Sequence, residues 1–363
     1  CMLGAPLFTM VFFLTMMEEG LPPALPIAVV DMDNSSTSRQ AVRMLDAFQQ
    51  VNVSMRTASF EEARAKMQKG DLYGIFYIPK DFAKDASTGK QPQISYYSNS
   101  SFLIASSLAY RDMKTVATLL NASVGMQMGK AKGMTEKEIL ATLQPISIDS
   151  HPIGNPWLNY SIYLNNTLLP GVLELLIFLV TIFAIGTEVK YSTSRRWLHM
   201  TNNNLSLALL GKMIPYTVTF TIVGFLCCSV LYGYSNFPLA NGWFPMLVAM
   251  FFLVISSQAM GIFLFTLVPS MRLALGVASL LGVLAFSLAG FSFPVSDMPP
   301  AIQSLTNLWP LRHYFLIYVD QALIGRSLHY SVVHYLSLLA FLLLPIFLMK
   351  NLKNVLLYIK YIP

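Results

Sequence analysis

Residues Leu168 to Met213 constrain this chain more than any other stretch: an apolar run leads into a polar turn, and a second apolar run leaves it. A hydrocarbon core about 30 Å thick needs about 20 apolar residues per helix, which Leu168 to Ile185 just supplies. Glu188, Lys190, Arg195, Arg196 and Lys212 lie at or beside the turn, with Trp197, Leu198 and Met200 among them. The stretch reads as a membrane hairpin with a basic tip. Basic residues are retained on the cytoplasmic side of a bilayer, so the tip should face the cytosol. A charge run is ordinarily a solvated loop. Here Trp197, Leu198 and Met200 interleave with Arg195 and Arg196, which suits a short interfacial helix that docks on a partner.

The remaining apolar runs thread through the same bilayer: Met2 to Met17, Leu207 to Tyr232, Trp243 to Val268, Leu273 to Phe293, and Val332 to Met349. With 55% hydrophobic and 12% charged residues, a single soluble globule is excluded. Alternate threading gathers Lys190, Arg195, Arg196, Lys212, Arg272, Lys350, Lys353 and Lys360 on one side, leaving Arg312 and Arg326 opposite, balanced by Asp297 and Asp320. That asymmetry orients the chain, and it explains the net charge of +6 better than nucleic-acid binding does. Trp157, Trp243 and Trp309 then fall near the outer boundary, as an aromatic belt would. The first run, residues 1–20, is short for a span; because the chain opens on Cys1, it is expected to be a first transmembrane helix truncated at its N-terminus.

Residues 21–160 differ in character. Glu18 to Asp149 carries 14 basic and 14 acidic residues, a neutral and soluble-looking balance. Leu25 to Asp33 reads as a buried strand followed by the N-cap-rich Asn34 to Ser38 and a helix; Val51 to Arg56, Asp71 to Ile78 and Gln93 to Tyr97 read as further strands. Ser59 with Glu62 forms a capping box, and Pro79 starts a short helix. A long helical stretch follows over about Ser101 to Lys130 and a shorter one over Thr135 to Leu143, and the segment Gln144 to Asn155, with Pro145, Pro152 and Pro156, returns the chain to the membrane. Strands alternating with helices predict a small α/β domain with a partly parallel sheet, lying outside the cytoplasm if the first span enters from the cytosol.

Catalytic chemistry has little to stand on. The Gly-Lys pairs at 89–90, 129–130 and 211–212 lack the earlier Gly and the following Ser/Thr of a phosphate-binding loop. The five histidines show no metal-binding spacing, and Cys1, Cys227 and Cys228 offer no disulfide framework or CxxC pair. Asp31 and Asp33 are better read as caps of the following helix than as a catalytic carboxylate pair. No catalytic residue and no metal site is expected.

Two features inside the membrane part bear on transport. Glu174 is the one acid within an apolar run, and it has two readings. It lines a pathway, or, one turn after Pro170, it complements a helix N-terminus near the outer interface. Ala289 to Phe315 carries Pro294, Pro299, Pro300 and Pro310 among Phe291, Phe293, Ile302, Leu305 and Leu308. Broken backbone at membrane depth is tolerated only against protein or water, so residues 290–316 read as an external re-entrant segment.

In combination these stretches resemble the permease subunits of ABC-2 type transporters. VVDMDNSSTSR (Val29 to Arg39) looks like the opening of that family's external domain, and LLPGVLELLIFLVTIFAIGTE like its second helix and the acidic start of its coupling loop. LLGKMIPY (Leu209 to Tyr216) looks like the start of the third helix, and AGFSFPVSDMP with WPLRHYF like the external re-entrant segment. The likeness spans nearly the whole chain. One departure is that Glu188 is followed by VKYSTSRRW, where the family usually has further charges and a Gly-Thr.

The resemblance implies an α-helical polytopic membrane protein of the type V exporter kind: six transmembrane helices, with an extracytoplasmic α/β domain inserted after the first. It implies a coupling loop at 186–206 in which Glu188, Lys190, Arg195, Arg196, Trp197 and Lys212 meet a separate ABC ATPase. ATP and Mg belong to that partner, and no cofactor to this chain. It implies an outer gate built from Phe291, Phe293, Pro294, Met298, Pro299 and Pro310, and export of a lipid, drug or other amphipathic substrate across the bacterial inner membrane. A second permease copy or paralogue completes a dimer, and the external domain is large enough to meet a periplasmic adaptor and an outer-membrane channel. The alternative is a receptor or scaffold that keeps the permease fold without transport.

Overall fold

The computed structural model describes residues 2–88, 90–143, 154–156 and 158–358. Internal contacts divide the chain into two units, Leu21–Ser150 on one hand and Cys1–Gly20 with His151–Pro363 on the other. Trp157 and Lys360, assigned above from the sequence, lie outside the described residues. The helix α1 (Gly4–Met16) belongs to the second unit.

The unit 21–150 is built on β1 (Leu25–Asp31). The helices α2 (Ser36–Asp46) and α3 (Phe60–Lys69) connect it to β2 (Val51–Thr57) and β3 (Gly74–Ile78), both parallel to it. α4 (Phe82–Ser87) precedes β4 (Ser95–Ser98), which runs antiparallel to β3 and completes the order β2-β1-β3-β4. α5 (Leu103–Ala131) and α6 (Glu136–Leu143) follow. Ile27, Ala28, Val29 and Val30 are apolar without alternation because both faces of β1 are covered. Ile27 and Val29 pack on α2 and α5 through Ala41, Leu45, Met113 and Val116, and Ala28 and Val30 pack on Ala63 of α3.

The caps differ in detail from the sequence reading. Ser35 caps α2, accepting from the Ser38 amide at 3.1 Å. Asp31 folds its carboxylate onto the amides of Asp33 and Asn34, while Asp33 reaches the Ala83 amide and so caps α4, 50 residues away. α4 begins at Phe82, three residues beyond its expected start at Pro79, because Pro79 ends the strand and Asp81 takes a left-handed turn at φ +62°. Ser59 accepts from the Glu62 amide, but the Glu62 carboxylate is taken by the Thr57 hydroxyl and leaves the capping box half made.

The second unit is helical. α7 (Tyr160–Lys190) is followed by α8 (Ser194–His199), then α9 (Leu205–Cys228), which widens into a π turn at Ser229–Tyr234. α10 (Trp243–Leu267) and α11 (Met271–Leu288) come next, then α12 (Pro300–Thr306) and α13 (Pro310–Tyr318), the last ending in a second π turn, Val319–Ile324. α14 (Leu328–Ala340), α15 (Leu343–Phe347) and α16 (Met349–Tyr358) close the chain. Among the described residues, five segments are long and apolar enough to cross a membrane: Tyr160–Lys190, Leu205–Tyr234, Trp243–Leu267, Met271–Leu288 and Leu328–Phe347. α1, with 13 residues, is apolar but shorter.

α7 is the centre of the bundle and touches α1, α9, α10, α11 and α13. At about 1.5 Å per residue, its 31 residues are far longer than the span read from Leu168 to Ile185. The extra turns at its start are polar: Ser161, Asn165, Asn166 and Thr167 are buried, so no apolar window reaches them. Hydrogen bonds within α7, and one from the end of α9, make part of this burial tolerable. Tyr232 donates to Asn166 Oδ1 at 2.9 Å, and Asn165 donates to Ser161 Oγ at 2.9 Å. α7 and α11 approach through glycine: a Cβ on Gly171 would lie 2.4 Å from Phe286, and one on Gly282 would lie 2.6 Å from Leu175.

Two further expectations change. α11 stops at Leu288, short of Phe293, because Gly290 takes φ +93° against Arg312. Trp309 does not belong to an aromatic belt, since it is buried in the apolar core; Trp243, at the start of α10, is exposed.

Candidate functional site

The basic tip folds into a compact cluster at one end of the helical unit. Glu188 and Lys190 belong to α7 itself, so the connecting segment begins at Tyr191, later than the 186 expected from sequence, because the helix runs unbroken through Gly186. Lys212, in the second turn of α9, forms an ion pair with Glu188, whose other oxygen accepts from the Thr193 hydroxyl. The same ammonium sits over the Trp197 ring, 5.1 Å from its centroid. One lysine therefore ties α7, the loop helix α8 and α9 together. Leu198 is fully buried in the core beneath them.

The loop has a second anchor that the sequence reading did not find. In α16 Leu352, Val355 and Leu356 are buried, an i, i+3, i+4 stripe that joins Leu198 in one apolar cluster. Lys353 donates to the Asn203 carbonyl at 2.9 Å, and Arg195 to the Leu357 carbonyl at 3.4 Å. The spacing was visible at 352–356, but the span read to Met349 hid a separate helix. Arg196, His199 and Met200 are exposed, and Lys190 lies against the Tyr191 ring at 5.5 Å. Gly186 packs on Met271, so Arg272 shares this end. The end that gathers the lysines and arginines thus presents Arg195, Arg196, His199 and Met200 on a braced surface.

The other assigned residues disperse. Glu174 is not at the start of its helix, as one reading from Pro170 had it, because α7 begins at Tyr160 and Pro170 lies inside the helix. It is fully buried, with neither carboxylate oxygen closing a hydrogen bond, and the polar group nearest in effect is the Leu311 amide in the first turn of α13. In the re-entrant stretch Pro300 and Pro310 start α12 and α13 at N1, where their missing N–H costs nothing, so here proline initiates helices as well as ending them. Phe291 packs on Tyr163 and Phe315, and the Tyr163 hydroxyl donates to its carbonyl. Pro310 is buried, Met298 half-buried, and Phe293, Pro294 and Pro299 exposed. The outer-gate residues therefore form no single packed cluster in this structure. Among the described residues, no three His, Cys, Asp or Glu side chains gather closely enough to hold a metal ion.

Among the described residues, five long apolar helices with α7 at their centre, and cations collected at one end, define a multi-pass membrane protein. A family model described as ABC-2 family transporter protein matches residues 1–349, and the chain belongs to that family of transporter permeases. It is similar to the inner membrane transport permease YhhJ of Escherichia coli (strain K12), at 22% identity over 87% of this chain and 81% of that one. The linearmycin resistance permease protein LnrN of Bacillus subtilis (strain 168) is 21% identical over 85% of this chain and 82% of its own. The probable multidrug ABC transporter permease YbhS of Escherichia coli (strain K12) is 23% identical over 77% and 72%.

Proposed function

We propose that this chain is the permease subunit of an ATP-driven exporter that moves an amphipathic molecule, a lipid or a drug, outward across a bacterial inner membrane. ATP and Mg are held by a separate ABC ATPase, which engages the loop at 191–204. The observation that carries the reading is the tie made by Lys212, which holds Glu188 on α7, Trp197 on α8 and the start of α9 together. A load placed on the exposed face of α8 is then passed into two membrane helices. Each nucleotide state need only favour one arrangement by a few kcal/mol, since a ligand shifts an equilibrium by its differential affinity.

Six spans, with α1 as the first, put the segment between α1 and α7 outside the cytoplasm once the basic end is taken as cytosolic. A second permease copy or paralogue completes the transporter, and the α/β unit is the part available to a periplasmic adaptor. Named relatives that serve multidrug transport and linearmycin resistance support an amphipathic cargo. The test is co-purification in detergent with the ATPase subunit, comparing the wild type with Arg195→Glu/Arg196→Glu. Loss of association in a variant that keeps its melting temperature supports the coupled exporter. A wild-type chain that stays folded and retains no ATPase favours the scaffold reading.

A further inference from the structure

The α/β unit holds a cavity of about 570 Å³, within the roughly 300–1,000 Å³ of ordinary small-molecule sites. Its position follows from the length of α5. The first half of that helix packs on the sheet through Ala109, Met113, Val116 and Leu120. The second half is met by α6, so closely that Gly125 and Gly129 leave no room for a Cβ against Leu143 and Ile139. The cavity is the space left between these two contacts, walled at the side by Phe82 of α4 and by Lys90, Pro92 and Ile94 ahead of β4.

Its floor is the stripe Leu120, Val124 and Met128, spaced i, i+4, i+8 on one face of α5. From Ala117 to Met128 that floor runs about 16 Å at 1.5 Å per residue. The polar side chains that line the cavity, Lys90, Gln91 and Asn121, are all exposed and so within reach of an incoming group. Lys90 pairs with Asp85 at 3.2 Å, but the two side chains are 72% and 33% exposed. Such a pair contributes little, and it occupies one of the three donors of the ammonium. Among the described residues, no carboxylate lines the cavity itself. An apolar trough gains by being covered, and the one charge on its wall is positive. We propose that this cavity binds a single-chain amphipath with an anionic head, its chain laid along the α5 stripe and its head on the Lys90 ammonium. Binding there does not rest on the export reading.

The experiment irradiates the full chain in nanodiscs with dodecane-1-sulfonate carrying a diazirine in mid-chain, or with the neutral sulfonamide of the same chain, and reads label on the tryptic peptide 115–130. The wild type should take label there from both, and unlabelled sulfonate should compete it away. The sulfonate-to-sulfonamide ratio should fall about three- to fivefold in Lys90→Gln, the scale of one exposed charge pair. Comparing chains cancels the partition of each probe into the bilayer. Asp85→Asn leaves the ammonium without a competing carboxylate and should raise the ratio. Ala117→Trp, which puts a ring into the cavity, should remove the label of both probes; should that chain not fold, Ala86→Trp fills the same space from α4. A ratio unchanged in Lys90→Gln, a ratio that does not rise in Asp85→Asn, or label that survives the tryptophan each overturns the proposal. So does a wild type that takes no competable label on 115–130, the result expected if a partner helix or another protein segment fills the cavity.

Discussion

Removing Lys212 tests the loop tie most directly. The Glu188 and Lys212 side chains are 17% and 18% exposed, between the surface pairs that contribute about 0.2–1 kcal/mol and the buried ones whose breakage costs about 3–5 kcal/mol. Lys212→Met should therefore cost about 2 kcal/mol through the ion pair, and about 0.5–1 kcal/mol more through the Trp197 ring. The assay is a double-mutant cycle with Glu188→Gln, read as unfolding of the purified chain in mixed micelles against SDS mole fraction. The double variant should be less damaged than the sum of the singles by about 1–2 kcal/mol. Repeating Lys212→Met in a Trp197→Ala background should recover the aromatic share. Additivity within about 0.3 kcal/mol would refute the tie, and the account of force transmission would go with it.

Three other outcomes are expected. Asp112, buried on α5 with one oxygen unpartnered and only Arg111 beside it, has its carboxyl held above the usual range by desolvation. Its native form binds the proton more tightly, so its contribution is complete below the unfolded pKa and is lost as pH rises through the folded one. Hydrogen exchange of β1 and β3 amides in the full chain should slow as pH falls from neutral, after correction for intrinsic rates, and Asp112→Asn should remove that dependence and slow exchange at neutral pH. Gly171→Val should lower stability by at least about 2 kcal/mol, because its side chain enters the Phe286 ring space; a combined Gly171→Val/Phe286→Ala chain should regain part of it in the same SDS titration. Leu352→Ala should cost about 2–4 kcal/mol locally and raise exchange at residues 194–204 above that in the rest of the helical unit, and unchanged exchange there would detach α16 from the loop.

The hairpin was legible because a basic cluster between two apolar runs has few physical solutions in a bilayer. The start of α7 was not, because Asn165, Asn166 and Thr167 look like the end of an apolar run until Tyr232 is seen to hydrogen-bond Asn166. Only the helix-start reading of Glu174 fails: a proline is a good sign of a helix start, but within a packed bundle Pro170 is carried in the helix interior. Glu188 and Lys212 were picked out singly, while their pairing across 24 residues needed the hairpin closed. α16 carried its stripe in plain view, at a spacing that a reading in whole membrane spans passes over.

The loop tie shares α9 with a second cavity, of about 420 Å³, lined by α9, α10 and α15. Lys212 faces Glu188 and Trp197, whereas Leu209 and Met213, three residues before it and one after, face the cavity. Pro215 lies inside α9 between these residues and Thr217, and removes one of the backbone hydrogen bonds that would hold the two halves in line. The half bearing Lys212 can therefore tilt against the half bearing Thr217 at less cost than in an unbroken helix. Met213 and Thr217, on either side of Pro215, both line the cavity, so a molecule seated there touches both halves and fixes that tilt. By linkage, whatever preference the occupant has for one tilt is returned as the same preference of that tilt for the occupant. Occupancy of the cavity should then change the cost of Lys212→Met, and Lys212→Met should change the affinity of the cavity by the same factor. Dodecanoic acid bound in the cavity that leaves the SDS titration of Lys212→Met displaced from wild type by an unchanged amount would mean that Pro215 uncouples the two halves instead of joining them.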